Sequence, residues 1–215
     1  LSINAGLRFE FFEQTRVDLL DGASYLDNST YIVLPSFGFI KYFSSFDLFG
    51  GIHRGYTAPS SGALKVSNFA LDTGLDLKAE RSWNKEIGIR SQNFLNIIDY
   101  ELSLFHLDIE NLVAAGRGTA FQNLQGIVET EGSELYTKID FEILSQFLPI
   151  LNLTHTFLET DIKTAELYQY DYLFDPYNGQ APPDTAISIA GNNLPYSPKH
   201  SYIIGIEKNI LDKKL

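Results

Sequence analysis

The stretch WNKEIGIRSQNFLNIIDYELSL, Trp83–Leu104, decides the fold class. Its first part alternates between two faces, one carrying Trp83, Lys85, Ile87 and Ile89 and the other Asn84, Glu86, Gly88 and Arg90. After the short connection Asn93–Asn96, alternation resumes, with Ile98, Tyr100, Leu102 and Leu104 opposite Asp99, Glu101 and Ser103. A helix would need apolar residues three or four positions apart, and this stretch lacks that spacing. It predicts two antiparallel strands joined by a turn, each with one apolar and one polar face.

The same alternation recurs along the chain, and it predicts roughly eight strands of about ten residues, longer than most strands of soluble proteins. Clear alternation is found at Ser2–Phe11, Trp83–Gln92, Ile98–Leu104 and Glu134–Ile143. A weaker form is found at Tyr31–Phe43, Leu48–Tyr56, Ile150–Glu159 and Ser201–Lys208. The polar faces carry charged residues, and the apolar faces carry aromatic residues near their ends, as the interfacial girdles of a membrane barrel require.

The connections between these strands alternate strictly in length. Short connections are predicted at Ser44–Asp47, Asn93–Asn96 and Ser145–Pro149, and long ones at about 18–29, 57–80, 113–126 and 161–196. Membrane barrels have short periplasmic turns and long outer loops, whereas loop lengths in soluble sandwiches follow no such parity. We therefore predict an all-β fold, an antiparallel transmembrane β-barrel. A soluble two-sheet β-protein with its apolar faces packed together is the alternative.

Composition excludes several classes of function. The 215 residues carry a net charge of -11, which argues against nucleic acid because nothing would neutralise the phosphates. Cysteine is absent, so the chain has no disulfide, thiolate metal site or cysteine nucleophile. No stretch approaches the roughly 18 consecutive apolar residues of a membrane-spanning helix.

The chain starts at Leu1 without a leader sequence and stops in a lysine-rich turn, so we expect an internal fragment of a barrel.

No enzyme motif is present. The chain has neither a Gly-x-Ser-x-Gly elbow nor a Walker loop, and its four histidines lie on separate predicted strands without metal-ligand spacing. We therefore expect no catalysis, no cofactor and no bound metal. A barrel can bring two of these histidines together, although interfacial or lumenal packing is the more common role for them.

Two sets of residues are candidates for ligand contact. Among basic residues expected in the lumen or an outer loop, Arg54 and Arg117 have guanidinium groups that can bind a carboxylate of an anionic chelate. Their structural alternative is pairing with neighbouring acids. The aromatic loop from residue 168 offers Tyr168, Tyr170 and Tyr172 as rigid contact area. The alternative there is a surface loop folded on its own aromatic side chains.

Several sequence blocks carry a family resemblance. They are FGGIHRGYTAP at Phe49–Pro59, LKAE at Leu77–Glu80 followed by WNKEIG at Trp83–Gly88, EGSEL at Glu131–Leu135, and NLPYSPKH at Asn193–His200. In this order and spacing they resemble the barrel of TonB-dependent outer-membrane receptors, with Ala79 in place of the usual proline. The His-Arg-Gly and Leu-Pro-Tyr-Ser-Pro-Lys-His forms are most similar to the ferric dicitrate receptor subgroup.

The resemblance implies a receptor in the bacterial outer membrane that imports a ferric chelate, either ferric citrate or a related siderophore. It implies a barrel of roughly 22 strands, of which residues 1–215 would be a part, with the plug domain and terminal strands outside this chain. The implied partners are outer-membrane lipid and the TonB–ExbB–ExbD complex, which acts through the plug. Haem or cobalamin uptake by the same family, a passive porin and a soluble β-sandwich binding module remain as alternatives.

Overall fold

The computed structural model describes residues 1–17, 24–58, 79–115, 121–123, 126–164, 166–168 and 186–208. Within them lie twelve strands: β1 (Ser2–Val17), β2 (Ser24–Tyr42), β3 (Asp47–Thr57), β4 (Glu80–Phe94), β5 (Ile98–Glu110), β6 (Val113–Ala115), β7 (Phe121–Asn123), β8 (Ile127–Asp140), β9 (Ile150–Ile162), β10 (Glu166–Tyr168), β11 (Ala186–Ser188) and β12 (His200–Glu207). In these residues, no helix has the length and apolarity needed to cross a membrane.

Eight of these strands form one antiparallel sheet in the order β1-β2-β3-β4-β5-β8-β9-β12. Each strand pairs with the next long strand along the chain, so the sheet is a simple meander. The remaining four strands form two small hairpins, β6–β7 and β10–β11, inside the long connections. The predicted eight antiparallel strands are confirmed. The predicted alternation of connection lengths is wrong at the first connection, because β2 already begins at Ser24. Only residues 18–23 separate β1 from β2, fewer than the nine residues 141–149 between β8 and β9.

The sheet has one apolar and one polar face, because direct partners on neighbouring antiparallel strands point to the same side. Ile3 pairs with Phe39, and Ile87 pairs with Leu104 on the same face. Within the described residues no second layer covers the apolar face, and Ile204 and Ile206 are 74% and 73% exposed. An uncovered apolar surface of this size on ten-residue strands suits lipid, not water.

The apolar band crosses the sheet obliquely. One row of cross-strand partners begins with Ala5, Phe37 and Ile52 and continues through Lys85, His106, Glu131 and Glu159. The same row is therefore apolar on β1–β3 and charged on β4–β9. Strands of a membrane barrel tilt by about 35–45° from the barrel axis, so a row perpendicular to them climbs out of the hydrocarbon layer.

Strand ends differ from the sequence prediction in two ways. Strands such as β4 and β8 start several residues earlier on the outer side, where both faces meet water and the alternation of hydrophobicity disappears. Conversely, the predicted strand Glu134–Ile143 is wrong at its end. Strand β8 stops at Asp140, and Phe141–Ile143 form a short 3-10 helix. The Asp140 carboxylate caps the start of this helix by accepting a hydrogen bond from the Glu142 N–H at 3.0 Å.

The face assignment predicts opposite effects for two adjacent residues of β12. Ile204 shares the apolar face with its partner Leu153, whereas Ile203 shares the polar face with Thr154. We expect Ile204→Lys to lower the free energy of unfolding by about 2–4 kcal/mol, since an amine near the bilayer midplane is costly. Ile203→Lys should cost much less, because its face is wet. Urea unfolding in lipid vesicles measures both; equal losses would contradict the assignment of faces.

The close approach of neighbouring strands at Gly132 leads to a second prediction, on the stability of the barrel. A Cβ added at Gly132 would meet the Phe157 carbonyl oxygen and the Phe105 ring, whereas at Gly205 the nearest atom, Asn152 Cβ, is 3.5 Å away. We expect Gly132→Ala to destabilise the barrel by about 1–3 kcal/mol through overpacking. Gly205→Ala is the matched control and should change stability little. The heat-modifiable, folded fraction on gels reports the difference.

Candidate functional site

A small apolar core lies at the outer end of the polar face. Val128 and Ile162, 1% and 3% exposed, are direct partners on β8 and β9. The partly buried side chains packed against them are Ile109, Leu112, Ile189 and Leu194. Two of these, Ile189 and Leu194, come from the chain between β11 and β12. Residues 189–199, termed here the inward segment, therefore fold back over the polar face before the chain re-enters the sheet.

Hydrogen bonds fix the inward segment to β9. The Ile162 N–H donates to the Asn192 carbonyl at 3.0 Å, and the Gly191 N–H donates to the Ile162 carbonyl at 2.8 Å. Farther along, Thr160 Oγ1 accepts from the Leu194 N–H at 2.9 Å and lies 3.3 Å from Ser197 Oγ. Thr160 is buried and on the polar face, so the segment is attached to the lumen side of the wall.

Farther down, the polar face carries charged residues. Arg8 pairs with Glu10, and Arg90 lies 3.5 Å from Asp47. Three more carboxylates on this face, those of Glu86, Glu101 and Glu134, have no ion-pair partner among the described residues, and neither has Lys138. Among the described residues of this face, the three carboxylates without an ion-pair partner outnumber the one such cation, so this part of the wall has a negative potential.

The other face carries an ionic ladder just above the apolar band. Asp108 lies 2.8 Å from both Lys85 Nζ and His106 Nε2, and Glu131 lies 3.0 Å from His106 Nδ1. Just beyond the end of β9, Lys163 Nζ lies 2.8 Å from both the Asp161 and the Glu129 carboxylate, and these two acids raise the pKa of Lys163 above its ordinary value. These side chains are all at least partly exposed to solvent, so each pair adds little stability. The ladder pairs acidic with basic side chains at the height where the wall emerges from the bilayer.

The structure changes the expected position of Arg54. Arg54 pairs with Trp83, on the face that also carries Ile52, and its guanidinium lies 5.5 Å from the Trp83 ring centre. Its placement in the lumen is therefore wrong. Arg54 Nε is buried and has no hydrogen-bond partner among the described residues. The cation–π contact with the indole holds the Arg54 side chain on the outer wall.

The other predicted ligand residues are described only in part. Tyr168 ends β10, where its backbone pairs with that of Ala186. Arg117, Tyr170 and Tyr172 lie outside the described residues. Their proposed contact with a ligand stays a prediction.

Sequence reasoning missed the residues that hold the inward segment. Asn193–His200 stood out as the entry to a late strand, but nothing in its spacing showed that Leu194 and Ser197 would meet Thr160, over thirty residues away. The contact exists because the segment bends back over β9. In the described part of the chain, no group of three or more histidine, aspartate or glutamate side chains is arranged to hold a metal ion.

The sequence that forms this long meander, with its oblique apolar band and polar inner face, matches a known protein family. The family described as "TonB dependent receptor-like, beta-barrel" matches residues 1–209. The chain belongs to this family. TonB-dependent receptors are outer-membrane proteins and not enzymes, so the predictions of fold class, outer-membrane location and absence of catalysis are confirmed.

Solved structures of similar fold agree with this TonB-dependent receptor barrel. The siderophore receptor PiuA from Acinetobacter baumannii matches with a TM-score of 0.66 and 16% identity, over 97% of this chain and 29% of that one. The ferric-catecholate import receptor Fiu from E. coli K12 matches with a TM-score of 0.61 and 16% identity, over 98% and 30%. The FrpB iron transporter from Neisseria meningitidis matches with a TM-score of 0.52 and 18% identity, over 74% and 23%.

The chain thus spans less than a third of the length of each of these proteins. At such identities the likeness concerns the fold. A search of curated protein sequences finds no match.

Thr160 offers a specific test of the inward segment. Thr160→Val keeps the shape of the side chain but removes the acceptor of the Leu194 N–H, and an unpaired buried donor costs about 1–3 kcal/mol. We expect faster hydrogen exchange in residues 189–199, while β1–β5 exchange as in the unchanged protein. Thr156→Val, on the same face of β9, is the control. Unchanged exchange in the segment would show that this bond does not hold it.

Proposed function

We propose that this receptor takes up a ferric siderophore across the outer membrane, energised through TonB. The observation that carries the proposal is the barrel wall with an outer segment folded onto its lumen side. Such a wall is a rigid frame for passage, and its long outer connections are placed for capture. PiuA is a siderophore receptor and Fiu is a ferric-catecholate import receptor, which favours iron chelates as the ligand class.

In this proposal residues 1–215 belong to the barrel domain, and the plug that contacts the TonB–ExbB–ExbD complex lies elsewhere in the protein. The polar inner face would then surround that plug. Arg8–Glu10 and Arg90–Asp47 neutralise part of the wall, while Glu86, Glu101 and Glu134 keep free carboxylates directed toward the interior.

Ferric citrate and related siderophores remain the candidate ligands, and the charge of the wall favours some of them over ferric citrate. The blocks resembling the ferric dicitrate subgroup have structural roles here: Arg54 stacks on Trp83, and Leu194 packs against the apolar core. Ferric dicitrate is also anionic, and the free carboxylates of the wall would repel it. A less negatively charged ferric siderophore suits this wall better.

Ligand binding by the full-length protein in detergent tests the proposal. Titrations with a ferric catecholate, a ferric hydroxamate, ferric dicitrate, haem and cobalamin would be followed by calorimetry. We expect one of the ferric siderophores to bind most tightly. Binding of haem or cobalamin alone would leave the barrel assignment intact and overturn the ligand class.

Variants separate wall from loop. Combined replacement of Tyr168, Tyr170 and Tyr172 by alanine should weaken siderophore binding at least tenfold, because stacked aromatic contact area is lost. Arg54→Lys is the control and should bind as the unchanged protein does, since Arg54 is on the outer wall.

The wall carboxylates are tested separately. Replacing Glu101 and Glu134 by glutamine should selectively improve binding of ferric dicitrate. No gain would show that the charge of the wall does not discriminate between chelates.

A further inference from the structure

Two histidines from distant parts of the chain meet at the seam between β9 and β12. In the register, His155 pairs with Tyr202 and Phe157 pairs with His200, so all four side chains lie on the apolar face. His155 Nε2 lies 3.2 Å from His200 Nδ1. The two rings are nearly parallel, with an angle of 10° between their planes and 5.5 Å between their centres.

Aromatic neighbours hold this pair in place. The Tyr202 ring stacks on His155 at 4.5 Å, and the Phe157 ring lies 5.2 Å from that of His200. Outward of the pair, Lys199 directly precedes β12 and Glu159 lies two residues beyond Phe157 on β9, and Lys199 Nζ and the Glu159 carboxylate form an ion pair at 3.0 Å. The pair therefore lies where the apolar band ends and water begins. His155 is half-buried and His200 is exposed, so a dissolved ion can approach from the outer side.

We propose that His155 and His200 form a two-histidine site for a divalent transition-metal ion of the Cu²⁺, Ni²⁺ and Zn²⁺ group. Metal–imidazole bonds of about 2.0–2.1 Å at a tetrahedral angle put the two nitrogens roughly 3.3 Å apart. The observed separation is close to this value, so a small rotation of the exposed His200 ring would direct both lone pairs at one ion. Imidazole ligands favour these metals, with Cu²⁺ bound most strongly.

The site would bind its metal ion with modest affinity, and the bound ion would stabilise the fold. No third histidine or carboxylate in the described residues completes a cluster, so water fills the remaining coordination positions. His200 is the first residue of β12 and directly follows the inward segment. A bound ion would therefore clamp the end of that segment to β9. An ion that binds only the folded form also raises its stability.

The test is Cu²⁺ binding by the full-length protein in detergent, measured with a competing chromophoric chelator. The unchanged protein should bind one equivalent of Cu²⁺ that both His155→Gln and His200→Gln lose or bind at least tenfold more weakly. His53→Gln is the control, since His53 lies on the polar face opposite Asn84, and it should retain that equivalent. Equal Cu²⁺ binding by all four proteins would overturn the site.

Two readouts keep the proposal testable if a glutamine variant folds poorly. In the unchanged protein, paramagnetic resonance of bound Cu²⁺ should show coupling to two imidazole nitrogens, and its absence would sink the proposal. Zn²⁺ should also slow hydrogen exchange in residues 196–202 while exchange in β1 stays the same. An unchanged rate in residues 196–202 would show that the histidines are a hydrogen-bonded pair without a metal role.

Discussion

The structure depends on one constraint: a strand that crosses lipid must have every backbone N–H and C=O paired with a neighbouring strand. A continuous meander satisfies this requirement with the shortest connections, and eight strands of this chain are arranged in that way. Once the backbone is paired, side chains alternate between lipid and interior, and long runs of apolar residues are unnecessary. Hence a chain whose mean hydropathy is close to zero, -0.07, forms a membrane wall.

Strand tilt then decides which residues meet lipid. The row of cross-strand partners that starts at Ala5 and ends at Glu159 changes from apolar to charged along its length. Because the strands are tilted, each successive member of the row lies farther toward the outer side of the membrane. Pairing across the sheet therefore does not mean equal depth in the bilayer. The ionic ladder on β4–β9 and the apolar face of β1 and β2 are therefore parts of one surface. The histidine pair and the Lys199–Glu159 ion pair mark the boundary at the seam of β9 and β12.

The polar face does two different tasks along its height. Its middle presents carboxylates to the interior, and its outer end packs the inward segment onto Val128 and Ile162. This packing positions the connection between β9 and β12. In the proposed uptake, a ligand that enters from outside would meet the inward segment first and the acidic wall afterwards.

Period-two alternation and the parity of connection lengths determined the fold class, the eight long strands and the membrane setting, because these properties are local and repeat along the chain. Only the tertiary structure decided the outward position of Arg54, the bend of residues 189–199 over Thr160, and the meeting of His155 with His200. The reason is that register and tilt couple residues on different strands. A pattern read along one strand gives its two faces but neither the partner of a residue nor its depth.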